Sequence, residues 1–143
     1  VLPAGLGARD TLRIEAGYNL YGQDMSLTTK PIDCGLSWTV DSQANRSFVG
    51  AQALRSSNQQ RALLGLVLLD KGILRVHQEV ITKQGNGTIT SGTFSPSLQK
   101  SIAFASLPKE TPLKSIVHVK VRDQLLQAQV VKNAFVRLGQ PLL

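Results

Sequence analysis

Two side chains in this 143-residue sequence have a type and a setting that could do chemistry, Glu15 and Arg46. Glu15 falls in the last turn of a segment, Gly7 through Gly17, that reads as a helix. A carboxylate there faces the negative end of the helix dipole, which costs about 0.3–1 kcal/mol at exposed sites. Two explanations are open. Either a nearby base, Arg13 or another group, pairs with it, or a ligand needs a pair of acceptors at that point. A pterin ring suits the second, because it presents adjacent N–H and NH₂ donors along one edge, spaced for the two carboxylate oxygens. Arg46 follows the polar run Asp41-Ser42-Gln43-Ala44-Asn45 and precedes Phe48. Its fixed fork could clamp a carboxylate bidentately, although a lone exposed arginine is otherwise ordinary.

Other chemistries lack their residues. His77 and His118 stand 41 positions apart with no cysteine beside either, so there is no zinc-ligand spacing. No Gly-Lys-Ser/Thr closes a glycine-rich loop, which excludes a nucleotide P-loop. The single cysteine, Cys34, excludes a disulfide framework and reads as packing beside a strand.

The elements that must position these groups fall into two kinds. Gly7–Gly17 carries Ala8, Leu12 and Ala16 at helical spacing with Gly17 as a stop. Leu12, Ile14 and Ala16 also alternate as in a strand, but the Ala, Arg, Leu and Glu content favours the helix. Leu36–Val40, with Trp38, reads as a short strand, and Phe48–Ser56 as a helix opened by Ser47. From Arg61 the pattern is β: Arg61–Asp70, Glu79–Lys83, Gly87–Thr93, Ser101–Ser106, Ser115–Asp123 and Leu125–Lys132. Gln84-Gly85-Asn86-Gly87 is a tight-turn signal. Val117, Val119 and Val121 face one way, and His118, Lys120 and Arg122 the other, so His118 reads as an ordinary surface group. Six such strands favour a small antiparallel barrel, and the fold class is α+β. The polar run Ser56-Ser57-Asn58-Gln59-Gln60 predicts a domain boundary, giving residues 1–57 and 58–143.

Length suits one domain, or one domain plus part of another. No uncharged apolar run approaches the roughly 18 residues of a membrane span. The start has no basic flank before an apolar stretch, as a secretory signal would, and no initiator methionine, which suggests a fragment. The net charge is +7, and all of it lies beyond residue 57, where eleven bases face four acids. Such a half attracts an acidic partner, or simply aids solubility. The bases are scattered and the aromatics few, so nucleic acid is not the expected partner.

The sequence also carries a resemblance. Gly5-Leu-Gly-Ala-Arg-Asp-Thr-Leu-Arg-Ile-Glu-Ala-Gly17 and Tyr18-Asn-Leu-Tyr-Gly-Gln-Asp-Met25 closely resemble the signature of the glycine cleavage system T-protein family, the aminomethyltransferases. Trp38-Thr39, Arg46-Ser47-Phe48-Val49-Gly50 and Thr90-Ser91-Gly92-Thr93-Phe94-Ser95-Pro96-Ser97-Leu98 match in the same order. Lys71-Gly72-Ile73-Leu74-Arg75 and Phe135-Val136-Arg137 are similar to it too, so the likeness covers nearly the whole chain. Flavin-linked sarcosine and dimethylglycine oxidising enzymes, which carry a similar folate module, usually have Trp-Gly where this chain has Leu20-Tyr21-Gly22. The folate-binding proteins of iron–sulfur assembly have a Lys-Gly-Cys segment that is missing here.

The resemblance implies transfer of a one-carbon unit from the aminomethyl-lipoyl arm of H-protein to tetrahydrofolate, with release of ammonia. It makes the position of Glu15 a pterin acceptor, that of Arg46 a folate contact and Tyr21 a candidate pocket wall. The family's key aspartate belongs to an upstream region that no segment here matches, so the chain is expected to be inactive alone. A non-catalytic folate-binding or adaptor module is the alternative. Tetrahydrofolate and lipoylated H-protein are the implied partners, with no nucleic acid, membrane or metal. The bacterial cytoplasm or the mitochondrial matrix is the implied location.

Overall fold

The computed structural model describes residues 2–41, 46–56 and 58–143. Six antiparallel strands close into a barrel: β1 (Arg61–Leu68), β2 (Glu79–Thr82), β3 (Gly85–Ser95), β4 (Lys100–Pro108), β5 (Ile116–Val121) and β6 (Gln124–Val131). Their order around the barrel is β1-β4-β3-β2-β5-β6, and β6 returns to pair with β1. Closure removes the unpaired edges that an open sheet of short strands would present. A small pair, β7 (Val136–Arg137) and β8 (Gln140–Pro141), follows, and no sequence pattern had marked it.

Period-2 alternation fills the barrel as expected. Leu66 and Leu68 of β1, Ala103, Ala105 and Leu107 of β4, Val117 and Val119 of β5, and Ala128 and Val130 of β6 meet in one buried cluster. The predicted turn is shifted: Thr82 pairs with Gly85, so Lys83-Gln84 form the loop and Asn86-Gly87 already belong to β3. Only Gly85 of that run takes positive φ, at 121°.

Two elements outside the barrel differ from expectation. Helix α1 (Leu6–Ala16) forms, but its buried residues are Arg13, Ile14 and Glu15, and Leu12 is exposed. The predicted Ala8–Leu12–Ala16 stripe is therefore not the packed face. Leu36–Val40 is not a strand. Ser37–Thr39 form a 3₁₀ turn in which the Thr39 amide and hydroxyl both donate to the Leu36 carbonyl. Local hydrogen bonds satisfy this backbone, and no neighbouring strand is needed. Helix α2 (Ala51–Arg55) is shorter than predicted and begins after Gly50, whose φ of 88° breaks the helical path; Ser47 does not cap it. Cys34 is buried in the turn of residues 31–35, where the neighbouring Asp33 carboxylate accepts the Arg61 amide at the start of β1.

Beneath α1 lies a second buried cluster on the outside of the barrel: Ile14, Leu63, Val67, Ile102, Phe104 and Phe135. The rings of Phe104 and Phe135 stack with centroids 6.0 Å apart. Gly65 makes room for this, since a Cβ there would lie 2.5 Å from the Lys132 carbonyl and 2.9 Å from the Phe135 ring. β1 and β4 thus bury both faces, one toward the barrel interior and one toward the helix.

Candidate functional site

Helix α1 ends at Gly17, whose φ of 88° and close approach to the Asn133 carbonyl admit only glycine. That stop fixes the last turn, in which successive residues point about 100° apart. Ile14 enters the outer cluster, while Arg13 and Glu15 flank it and reach different parts of β3. The three contacts run along one strand face. Arg13 donates to Ser91 Oγ at 2.8 Å, the hydroxyls of Thr11 and Thr93 meet at 3.1 Å, and Ser95 Oγ donates to Glu15 Oε1. Ser91, Thr93 and Ser95 follow one another at the strand period of two, which is why a single helix can meet all three.

Glu15 is 5% exposed. Besides Ser95, it accepts the Ser97 amide on Oε1 at 3.2 Å and the Ser97 hydroxyl on Oε2 at 2.9 Å. Oε1 therefore carries two bonds and Oε2 one. Arg13 is not its partner. Residues i and i+2 of a helix do not face each other, so the spacing argued against that pair from the start. Arg13 instead forms a buried ion pair with Asp24 at 2.6 Å and a second with Asp10 at 2.8 Å, and lies over the Phe104 ring.

Asp24 shows how the barrel receives this charge. A register shift between Ile89 and Ser91 places Thr90 out of step in β3. The Thr90 and Ser91 hydroxyls then both donate to Asp24 Oδ1, while Leu20 N–H and Arg13 fill Oδ2. A bulge re-aims side chains in this way. Asp24, Ser95 and Ser97 were not singled out by residue type, and Arg13 was named only as a partner for Glu15. Ser91, Ser95 and Ser97 lay inside a matching stretch, but a hydroxyl gives no signal of its partner until the bulge and the helix end are known.

Arg46 sits elsewhere. It is exposed, its carbonyl accepts from the Arg55 guanidinium at 2.8 Å, and it lines an open cleft with Phe48, Gly50 and Arg55. Of its predicted polar neighbours, residues 42–45 lie outside the described residues. Tyr21 is 62% exposed and not a buried structural tyrosine; its backbone bridges to Met25. Neither Glu15 nor Tyr21 lines the Arg46 cleft. The structure thus gathers Glu15 with Ser95 and Ser97, and does not join it to Arg46 or Tyr21.

Comparison with known proteins places this arrangement in a family. Residues 61–137 match the model of the glycine cleavage T-protein C-terminal barrel domain, and residues 1–44 match the GCVT N-terminal domain. The chain belongs to the glycine cleavage T-protein family. An aminomethyltransferase of Cupriavidus metallidurans is 61% identical over 99% of the chain, and one of Ralstonia pickettii is 59% identical over the same share. The crystal structure of glycine cleavage system aminomethyltransferase T from Bartonella henselae superposes with a TM-score of 0.84 at 32% identity. It covers 92% of this chain and 39% of its own. The chain spans about 38% of the length of the curated relatives it matches. As a T-protein segment it is α+β, with helix α1 packed beside a closed barrel. Among the described residues no helix is long and apolar enough to cross a membrane.

Proposed function

We propose that the chain is the C-terminal part of a tetrahydrofolate-dependent aminomethyltransferase of glycine breakdown. Identity of 61% to an aminomethyltransferase across 99% of the chain carries this reading. In the reaction, the carbon–sulfur and carbon–nitrogen bonds of the aminomethyl-lipoyl arm of H-protein both break, the carbon forms one bond to each of two folate nitrogens, and the protons those nitrogens lose end on the thiol and the ammonia. Products are 5,10-methylenetetrahydrofolate, ammonia and the dihydrolipoyl arm. Residues 1–57 would close the folate-binding catalytic region, and residues 58–143 form the appended barrel.

Within this reading Glu15 accepts the pterin N–H and NH₂ edge, Arg46 contacts a polar or anionic part of folate, and Tyr21 contributes to the pocket wall. Glu15 is suited to its role because its carboxylate is already fixed by three donors, so little ordering remains to be done on binding. Oε2 accepts one bond and keeps acceptor capacity. No catalytic residue is assigned within these 143 residues; the acid that positions or activates the folate nitrogen belongs to the remaining length of the relatives. The eleven bases beyond residue 57 offer an attractive surface to an acidic lipoyl carrier. A bacterial cytoplasm is the expected setting, given the bacterial relatives.

A tetrahydrofolate titration of the wild type against Glu15→Gln tests the site, since the amide replaces one acceptor oxygen by a donor. Equal affinities remove Glu15 from the folate site. A coupled assay with H-protein and tetrahydrofolate tests the division of labour. The 143 residues alone should turn over far more slowly than the full-length enzyme, and comparable rates would refute that part.

A further inference from the structure

We propose that Ser95 and Ser97, both on the barrel, are positioning residues that aim the Glu15 carboxylate at its ligand. The proposal rests on Glu15 being the pterin acceptor and adds that the acceptor is held from across the helix–barrel boundary. Ser95 is fully buried at the end of β3, and its hydroxyl both donates to Glu15 Oε1 and receives the Leu98 amide at 3.1 Å. Ser97 is exposed in the turn between β3 and β4, yet it gives both its amide and its hydroxyl to Glu15.

A carboxylate needing only burial compensation would be satisfied by any donors. These donors divide unequally: two occupy Oε1, and the one on Oε2 comes from a side chain at the surface. The carboxylate is therefore fixed in rotation, with its less occupied oxygen toward the Ser97 side. Oε2, the oxygen with acceptor capacity left, must be fixed in rotation to meet a donor on a rigid ring edge, and a hydrogen bond to a charged group is strong enough to hold it. Helix α1 supplies none of these three bonds, and Arg13 on the same turn faces Asp24.

Ser97 gives the clean experiment, because an exposed turn hydroxyl can be removed without a cavity, whereas Ser95→Ala also disturbs the turn. Kinetics are measured in the enzyme at the full length of its relatives carrying these 143 residues, with tetrahydrofolate varied and loaded H-protein saturating. Ser97→Ala should raise KM for tetrahydrofolate about fivefold to tenfold, less than the full worth of a charge-assisted hydrogen bond because the Ser97 amide and Ser95 hydroxyl still hold Oε1, with kcat nearly unchanged. Ser97→Thr, which restores a hydroxyl, should recover most of the affinity, and thermal midpoints should stay together across the set. A KM unchanged in Ser97→Ala but raised in Glu15→Gln overturns the positioning role and spares the folate reading. A KM unchanged in both overturns the acceptor role and the positioning role with it. A raised KM that follows a lowered thermal midpoint and is not rescued by threonine identifies a purely structural bond.

Discussion

The barrel and the segment preceding it solve the burial problem differently. The barrel closes on itself and buries an interior lined by Leu66, Val80, Ile89, Leu107, Val119 and Val130. Among the described residues, those between 2 and 56 bury little of their own apolar surface. Leu2, Leu27 and Val49 are almost wholly exposed, Trp38 is 82% exposed, and Leu6, Leu12 and Tyr18 point outward. Isolated exposed apolar residues are common, whereas a contiguous group of them is a surface that further protein can cover. This segment is held to the barrel by a narrow seam: Ile14 among Phe104 and Phe135, the Phe135 amide on the Glu15 carbonyl, and the hydroxyl row of β3. Most of the buried apolar core belongs to the barrel, while the groups that contact folate under our reading stand on the segment packed against it.

The seam is where the contrast can be broken most severely. Phe135 packs over Gly65 and against Phe104, so Phe135→Ala should destabilise the chain by about 3–5 kcal/mol. It should also release α1, seen as fast amide exchange through residues 6–17. Retained protection there would mean that the polar contacts alone hold the helix. Arg13→Met removes one member of a buried ion pair and leaves Asp24 uncompensated, a change costing about 3–5 kcal/mol where the pair is fully buried. Its effect should be one-sided, with exchange accelerated in residues 6–25 and little changed in β5 and β6. Uniform loss of protection would show that the two regions unfold together.

Trp38 sharpens the comparison without mutation. As the single tryptophan and largely exposed, it should emit at long wavelength and be quenched freely by acrylamide in the 143-residue chain. In the full-length enzyme the emission should shift blue if the remaining length covers this face, and an unshifted spectrum would leave the face open there too. The smallest effect belongs to Cys34, whose thiol burial holds above its ordinary value. The unfolded chain loses that proton first as pH rises. The contribution to stability is thus complete below the ordinary thiol value and falls away as pH climbs from there toward the folded value. Cys34→Ala should flatten this alkaline slope by at most about 1.4 kcal/mol per pH unit, read from urea melts at successive pH values. An identical slope in the variant would assign the alkaline loss to other groups.

Much of this molecule is written locally. Alternation of apolar and polar residues from Arg61 to Val131 determined six strands and their inward faces, because a half-buried strand must repeat every two residues. Gly17 marked the end of α1, and the motif around Glu15 marked the family. Distant pairing was not legible. The 37–39 turn resembled a strand in composition, yet Thr39 bonds to its own neighbourhood and leaves nothing for a sheet. The buried face of α1 contains an arginine and a glutamate, so no apolar stripe could reveal it.

The sequence by itself determined the barrel, the helix and the presence of a carboxylate at the helix's unfavourable end, since each depends on residues close along the chain. Only the tertiary structure decided what that carboxylate meets. Ser95 and Ser97 lie about 80 positions away and reach Glu15 because β3, put out of register near Thr90, runs beneath the helix. Hydrogen bonds between such distant groups have no periodicity to read; they exist only once the strands have closed.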